Sequence, residues 1–306
     1  MQSSRRNFLK TTAFTVAGAS LFSNELFAAR KKKELMGIQL YSVRDDMQKD
    51  PMGTLKQLAD MGYVYVEHAN YIDRKFYGRT SPEFKKVLDD MGLKMRSGHT
   101  VMSSKHWDAG KKDFTDAWKY TIADAAYIGQ QYVISPWLDD VYRTSFDDLK
   151  RYMEVFNKCG ELCKKYGMKF GYHNHDFEFS QKLNNVKIFD IIMQNTDPSL
   201  VAQQLDIGNM YHAGGIAIDI IKQYPGRFEL MHVKDEIKKT TAEGEMGGEY
   251  ESTILGTGII PVKEIIDLGR KSGGTLHFII EQESYQGKTP IACVKEDFNI
   301  MKGWGY

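Results

Sequence analysis

The sequence is poor in cysteine. Only three cysteines occur in 306 residues, and two of them, Cys159 and Cys163, lie four residues apart on a predicted helix and so share a face. This spacing does not form a disulfide framework. We interpret all three, including Cys293, as small buried apolar side chains, which excludes a fold stabilised mainly by disulfide bonds.

An excess of charge and long apolar runs are also missing. The 41 lysines and arginines are balanced by 40 aspartates and glutamates, so the formal net charge is +1. A chain without a basic excess has no electrostatic basis for binding nucleic acid, and we predict no nucleic-acid partner. Beyond the N-terminal region, no segment reaches the roughly 20 apolar residues that a membrane-spanning helix needs. We therefore predict no membrane span in the mature chain.

The N-terminal region resembles an export signal. Two arginines at positions 5 and 6 are followed by Phe-Leu-Lys at 8–10 and by a modest apolar stretch over 13–22. A basic segment followed by a short apolar one is typical of a signal peptide, and the paired arginines indicate the twin-arginine route. We predict a signal peptide over residues 1–29 and a periplasmic protein. The alternative is a disordered basic tail.

The remaining residues, 30–306, repeat an apolar run, a polar turn and a helical pattern eight times. The apolar runs, which we predict to be strands, are Met36–Tyr41, Tyr63–Glu67, Leu93–His99, Tyr132–Ser135, Met168–His175, Val201–Asp206, Phe228–Val233 and Leu276–Glu281. The helical segments fall at about 51–61, 81–91, 112–128, 145–166, 186–195, 214–223, 261–272 and 290–302. Strands that alternate with helices favour parallel βαβ units. Eight such units predict one α/β domain, a (β/α)8 TIM barrel, over residues 30–306.

An open, doubly wound sheet is the alternative fold. Such a sheet usually carries a glycine-rich phosphate loop after its first strand. Here the first predicted strand is followed by Ser-Val-Arg-Asp-Asp at residues 42–46, which contains no glycine. The barrel is therefore the preferred prediction.

Ionisable residues follow the predicted strands with unusual regularity. In a TIM barrel the carboxyl ends of the strands form the catalytic face. Ionisable side chains are costly to bury there unless they are paired or bind a metal. The residues selected for this reason are Glu67 (strand 2), His99 (strand 3), His173 and His175 (strand 5), Asp206 (strand 6), His232 and Lys234 (strand 7) and Glu281 (strand 8).

Strands 5 to 8 supply a mixed set of nitrogen and oxygen ligands. Two imidazoles and two carboxylates suit Mn, Co, Zn, Fe or Ni and suit Mg or Ca poorly. The sequence therefore predicts one divalent metal ion, whose identity stays open.

Four stretches of the sequence carry a resemblance to a known family. They read Tyr-His-Asn-His-Asp-Phe-Glu at 172–178, Leu-Asp-Ile-Gly-Asn at 205–209, His-Val-Lys-Asp at 232–235 and Ile-Ile-Glu-Gln-Glu at 279–283. Over residues 35–306 the chain resembles the xylose-isomerase-like barrels of sugar and sugar-phosphate isomerases and epimerases. The resemblance implies a divalent metal whose ligands include Asp206, His232 and Glu281.

The same resemblance implies residues that contact a substrate. Asn209 lies three residues after the ligand Asp, at a position that contacts substrate in the family. Lys234, two residues after the ligand His, faces the same mouth. Glu67 and His99 lie where family members often contact substrate hydroxyl groups.

The first ligand position departs from the family pattern. Many members have Glu-Asn-His at the end of strand 5, whereas this chain has His173-Asn174-His175. His173 then stands where the first Glu ligand belongs, with His175 as the alternative ligand. Family epimerases exchange a proton between two facing glutamates, so a site with one Glu and one His is no longer symmetric. We assign Glu281 as the general base and His173 or His175 as its acid partner.

The chemistry implied by the resemblance is removal of a proton next to a carbonyl group, which gives an enediolate. We expect a metal-dependent isomerase or epimerase that acts on a non-phosphorylated sugar or inositol, because export disfavours phosphorylated substrates. A lyase or dehydratase that eliminates a β group from a keto-sugar or 3-keto-glycoside is the alternative, and a non-catalytic sugar-binding protein is a third. In each case the partner is a small carbohydrate, and assembly into a homo-oligomer stays open.

Overall fold

Eight parallel strands close into a barrel within residues 36–239 and 248–306, the part of the chain that the computed structural model describes. The predicted export signal lies in residues 1–35, outside this part. Each strand pairs in parallel with its neighbours in the sequence, and the last pairs with the first. The prediction of a (β/α)8 TIM barrel is confirmed. The strands are β1 Met36–Gln39, β2 Tyr65–His68, β3 Lys94–His99, β4 Tyr132–Ser135, β5 Lys169–His173, β6 Val201–Asp206, β7 Leu230–Val233 and β8 His277–Ile280.

One main helix follows each strand. These helices are α1 Pro51–Met61, α2 Ser81–Asp90, α3 Asp116–Ile128, α4 Phe146–Lys164, α5 Ile188–Asn195, α6 Ala217–Gln223, α7 Val262–Leu268 and α8 Pro290–Gly303. Their apolar faces and the strands form two buried clusters, one of which holds Cys159 and Cys163. The cysteines are free and buried, as predicted. None of the described helices is long and apolar enough to cross a membrane.

Shorter helical segments lie between the main elements. They are the 3-10 turns Leu40–Val43, Ser104–His106 and Asp140–Tyr142, the short helices Arg44–Lys49, Phe177–Ser180 and Asn209–His212, and the π turn Gly269–Gly273 that continues α7. Several of these follow strands directly, on the face where the site lies.

Side-chain caps set the start of several main helices. Before α1, the Asp50 carboxylate accepts the Gly53 N–H at 3.0 Å, and Pro51 takes the first helical position. Before α2, Thr80 and Glu83 form a capping box. Such caps satisfy backbone N–H groups that have no partner within the helix, each worth about 1 kcal/mol.

Four small antiparallel hairpins were not predicted from the sequence. They follow β2, β3, β5 and β7 and pair Tyr71–Ile72 with Lys75–Phe76, Trp107–Asp108 with Asp113–Phe114, Lys182–Leu183 with Val186–Lys187, and Asp235–Lys238 with Tyr250–Thr253. Because residues 113–114 pair in a hairpin, α3 begins at Asp116 rather than at 112. Two-residue strands are too short to show a period of two in the sequence.

The interior of the barrel has an apolar floor. Six buried side chains form one cluster there: Tyr65, Tyr132, Ile134, Ala202, Leu230 and Ile279. Three of them are the first residues of their strands, so the floor lies toward the amino ends. The buried polar side chains of the candidate site therefore lie above it, toward the carboxyl ends.

Candidate active site and metal centre

Four predicted ligands meet at the carboxyl end of the barrel. His173 ends β5, Asp206 ends β6, His232 is the third residue of β7, and Glu281 directly follows β8. All four are buried. Each offers one ligand atom, and these atoms all lie within 4.8 Å of one another.

The spacing of these atoms fits one shared cation. His232 Nδ1 lies 3.0 Å from Glu281 Oε2 and 3.6 Å from Asp206 Oδ2. His173 Nε2 lies 4.0 Å from the same Asp206 oxygen. That oxygen is buried and accepts no hydrogen bond from the described residues. A buried carboxylate oxygen without a hydrogen bond is costly, and a divalent ion bound by these nitrogen and oxygen donors would compensate it.

The protonation states of three of the four candidate ligands suit a metal site. Burial disfavours the ionised forms of Asp206 and Glu281, but the nearby positive charges of Lys234 and His232 outweigh it and lower the pKa of both carboxyl groups. Burial, aided by repulsion from His232 and His99, lowers the pKa of His173 well below its usual range, so His173 is neutral. The fourth, His232, differs: burial lowers its pKa, but the carboxylates of Glu281 and Glu67 outweigh burial and raise it, so a metal would have to displace a proton from this ring.

A buried ammonium group lies beside the four ligands. Lys234 follows His232 by two residues, and its Nζ lies 2.5 Å from Glu283 Oε1 and 3.3 Å from Glu281 Oε2. It also donates to Asn209 Oδ1 at 3.2 Å. The backbone N–H of Asn209 donates to Asp206 Oδ1 at 2.7 Å. Asn209 and Lys234, two of the four residues that were expected to contact substrate, thus lie at the candidate metal site.

His175 lies outside the group of four. β5 ends at His173 rather than at His175, so His175 belongs to the following loop, where its ring packs against Trp137. Burial lowers the pKa of His175 to about 4. Glu178 lies next to it, accepting the His175 backbone N–H at 2.9 Å and the Tyr172 hydroxyl. Of the two histidines considered as the ligand, the geometry favours His173.

Glu67 and His99 lie inside the barrel, below the mouth at which they were expected to contact substrate. Glu67 is fully buried and accepts the His232 Nε2–H at 2.6 Å, and His99 Nε2 lies 3.2 Å from the same Glu67 oxygen. His99 also borders a cavity of about 790 Å³ between the first hairpin and α3. Substrate contact by Glu67 and His99 stays a prediction; among the described residues, the partners of Glu67 are buried side chains of the barrel.

Sequence reasoning missed three polar residues that surround Glu67. Gln39, Ser97 and Gln204 are buried inside the barrel and donate to its two carboxylate oxygens. One signal was present for Gln204, which lies two residues before Asp206 on β6 and therefore faces the same interior.

Most of the barrel matches one protein family. Residues 55–304 match the family model described as "Xylose isomerase-like TIM barrel". The chain belongs to this family. For this family, the resemblance of the four sequence stretches implied metal ligands at the carboxyl ends of the last four strands.

Several relatives carry the names of enzymes. An inosose dehydratase of Clostridium perfringens is 27% identical over 178 residues, which cover 55% of this chain and 59% of that protein. The chain thus spans less than two thirds of this relative's length. An inosose dehydratase of Clostridium beijerinckii is 26% identical over 274 residues, covering 83% of this chain and 81% of that protein.

Solved structures show the same fold. A structure from Parabacteroides distasonis described as a sugar phosphate isomerase/epimerase superimposes with a TM-score of 0.74 at 27% identity, covering 86% of this chain and 92% of that one. A structure of the IOLI protein with a bound zinc atom has a TM-score of 0.64 at 13% identity, covering 89% and 96%. At that identity the second likeness shows the fold alone.

Proposed function

We propose that this chain is a metal-dependent lyase that removes water, or another β leaving group, from a keto-cyclitol or keto-sugar. This was the alternative in the sequence analysis, and the names of the dehydratase relatives support it over isomerisation. The observation that carries the proposal is one ionised carboxylate, Glu281, with one buried ammonium group, Lys234, 3.3 Å away. Elimination needs one base and one acid, and this pair supplies both.

Each side chain has a defined role in the proposed reaction. Glu281 removes the proton from the carbon next to the substrate carbonyl, and the electron pair moves onto the carbonyl oxygen to give an enediolate. The pair on that oxygen then re-forms the carbonyl, the double-bond pair of the enediolate shifts to form the new double bond between the α and β carbons, and the bond between the β carbon and its oxygen breaks. Lys234 donates a proton to the departing oxygen, so that water leaves.

His173, Asp206, His232 and Glu281 would hold the metal ion. Bound there, the ion supplies a Lewis acid that polarises the substrate carbonyl and makes the neighbouring proton easier to remove. Asn209 lies between Lys234 and the metal ligands and is placed to orient the substrate.

The acid role is better filled by Lys234 than by either histidine. The lowered pKa values leave His173 and His175 neutral near pH 7, and a neutral imidazole is a poor proton donor. His175 has a buried Nδ1 without a hydrogen bond among the described residues, so it stays a candidate for contact with a substrate hydroxyl.

Isomerase or epimerase action is the second candidate. It is favoured by the likeness to the Parabacteroides distasonis isomerase/epimerase structure. Inversion at one carbon needs a second base on the opposite face of the substrate. Neutral His173, held between Gln204 and Asp206, stands where the family has its second carboxylate.

Product analysis separates the two reactions. Full-length protein loaded with Zn²⁺ or Mn²⁺ is incubated in D₂O with an inosose and, separately, with a 3-keto-glycoside, and the products are followed by NMR. We expect an unsaturated ketone or its tautomer with release of water or aglycone. Deuterium entering a sugar that keeps all its substituents would instead support the isomerase or epimerase.

Asp206→Asn tests the assignment of Asp206 as a metal ligand. Its amide oxygen can still accept the Asn209 N–H, while its NH₂ group replaces the oxygen that faces His232. This variant should lose metal and activity together.

Export to the periplasm and a non-phosphorylated substrate stay part of the proposal, and both rest on the N-terminal sequence.

A further inference from the structure

A buried carboxylate lies beneath the candidate metal ligands. Glu67 on β2 receives five donors: Gln39 Nε2 at 2.8 Å, His232 Nε2 at 2.6 Å and His99 Nε2 at 3.2 Å on one oxygen, and Gln204 Nε2 at 2.8 Å and the Ser97 hydroxyl on the other. Glu67 is fully buried. A carboxylate this fully bonded is suited to orienting its partners.

Glu67 fixes the His232 ring directly. Because a carboxylate only accepts hydrogen bonds, the His232 nitrogen 2.6 Å from it must carry a hydrogen. That nitrogen is Nε2, which leaves Nδ1 as the nitrogen that could bind a metal once its own hydrogen, which faces the Glu281 carboxylate, is displaced. Nδ1 is also the nitrogen that lies 3.0 Å from Glu281 and 3.6 Å from Asp206.

Gln204 passes the same constraint to His173. Gln204 and His173 lie opposite each other on β6 and β5. The Gln204 NH₂ group donates to Glu67, so its carbonyl oxygen must face the other way, toward His99 Nε2 at 2.7 Å and His173 Nδ1 at 3.1 Å. An amide oxygen only accepts, so His173 carries its hydrogen on Nδ1, and its Nε2 is an acceptor that lies 3.4 Å from Asn209 Nδ2.

We propose that Glu67 is a positioning residue that sets the tautomers of both histidine ligands, His232 directly and His173 through Gln204. With a metal bound, the two rings would be held in opposite tautomers, with Nδ1 of His232 and Nε2 of His173 turned toward Asp206. Partners of this kind fix the ring and tautomer of histidines that bind metals. The inference rests on the metal centre of the proposed function but not on the reaction carried out there.

Two variants divide the network at different points. Glu67→Gln places an amide among donors that all need an acceptor and disturbs both histidines. Gln204→Met removes only the link to His173. Gln130→Met is the matched control, because Gln130 is also buried but donates to Met95 Sδ outside the site.

Zinc affinity and side-chain NMR measure the effect of these variants on the metal site without an activity assay. Titration calorimetry of the metal-free full chain with Zn²⁺ should show affinity about 10- to 100-fold weaker in Glu67→Gln and Gln204→Met, and unchanged in Gln130→Met. In ¹⁵N spectra of the zinc-loaded wild type, the metal-bound nitrogen should be Nδ1 in His232 and Nε2 in His173. Gln204→Met should disturb this assignment for His173 and preserve it for His232.

Two results would overturn the inference. One is the same metal-bound nitrogen on both rings of the wild type. The other is wild-type affinity and tautomers in Glu67→Gln and Gln204→Met. If the wild type binds no zinc, the metal centre fails separately, and the metal-free spectra decide about Glu67. A slowly exchanging His232 Nε2–H that is lost in Glu67→Gln supports its role, and an unchanged signal refutes it.

Discussion

Replacing Lys234 by methionine should separate proton donation from metal binding. The Lys234 ammonium lies 3.3 Å from Glu281 Oε2 and 3.8 Å from Asp206 Oδ2. At an effective dielectric constant of about 20, these distances correspond to gross attractions of about 5 and 4 kcal/mol, and desolvation of the ammonium offsets part of them. Removing one partner of a buried ion pair typically costs about 3–5 kcal/mol. We expect a loss of that size in the unfolding free energy of the metal-free variant, measured by urea titration.

Metal binding should respond in the opposite direction. Because the ammonium and the metal ion are attracted to the same two carboxylates, Lys234→Met should bind Zn²⁺ at least as tightly as the wild type. Its kcat for elimination should nevertheless fall by about 10²- to 10⁴-fold, the usual contribution of a positioned acid. Calorimetry for zinc and NMR for product formation give the two numbers on one preparation.

Lys169→Met is the matched control for this change. Lys169 opens β5 at the amino end of the barrel and pairs with Glu229, far from the ligands along the same strand. It should leave zinc affinity and kcat unchanged. Two outcomes for Lys234→Met would refute the reasoning. Retained kcat would mean that Lys234 is not the proton donor, and a parallel loss of zinc affinity would mean that it only shapes the metal site.

Two further changes test the reaction class and the electrostatics. His173→Glu places a second carboxylate in the site. It should raise the ratio of deuterium exchange into unreacted substrate to elimination, measured by NMR in D₂O. An unchanged ratio of exchange to elimination would contradict the role given to this position. Asp297 on α8 is buried, and burial raises its pKa to about 7 from the usual 3.8. The folded state therefore holds a proton that the unfolded state releases, and Asp297 destabilises the fold increasingly as pH rises from about 4 to 7. Asp297→Asn should gain stability relative to the wild type over that range, by at most about 4 kcal/mol, in urea titrations at pH 4.5 and 8.

The barrel was predictable because its signals are local and repeated. Eight apolar runs, each followed by a helical pattern, are visible without knowledge of tertiary contacts, and turn residues such as Asp50 and Gly62 mark the ends of α1. The small hairpins were missed because their strands have mostly two residues. Asn184 and Asn185, both at positive φ, were an available turn signal for one of them.

The grouping of the candidate metal ligands was predictable for a different reason. His173, Asp206, His232 and Glu281 lie at or near the carboxyl ends of strands, so their position in the sequence fixes their place on the barrel face. The support beneath them was not predictable in this way. Gln39, Ser97 and Gln204 are common polar residues, and their role follows only from the register that brings them to Glu67.

The surroundings of individual side chains were harder still to predict. The sequence left both His173 and His175 open as the ligand, and the end of β5 at His173 places them in different surroundings. The family resemblance implied that Glu67 contacts substrate, and this stays a prediction. A one-residue irregularity between Val66 and Glu67 in the pairing with β3 accompanies its inward position.

A crystal structure of zinc-soaked protein, with anomalous data collected at the zinc edge, tests the central claim most directly. The account predicts a single strong peak about 2.0–2.2 Å from His173 Nε2, Asp206 Oδ2, His232 Nδ1 and Glu281 Oε2. A second group of possible ligands, His99, His173 and His232, lies close by. A peak bound by those three imidazoles, or no peak at the barrel mouth, would contradict the proposed metal centre.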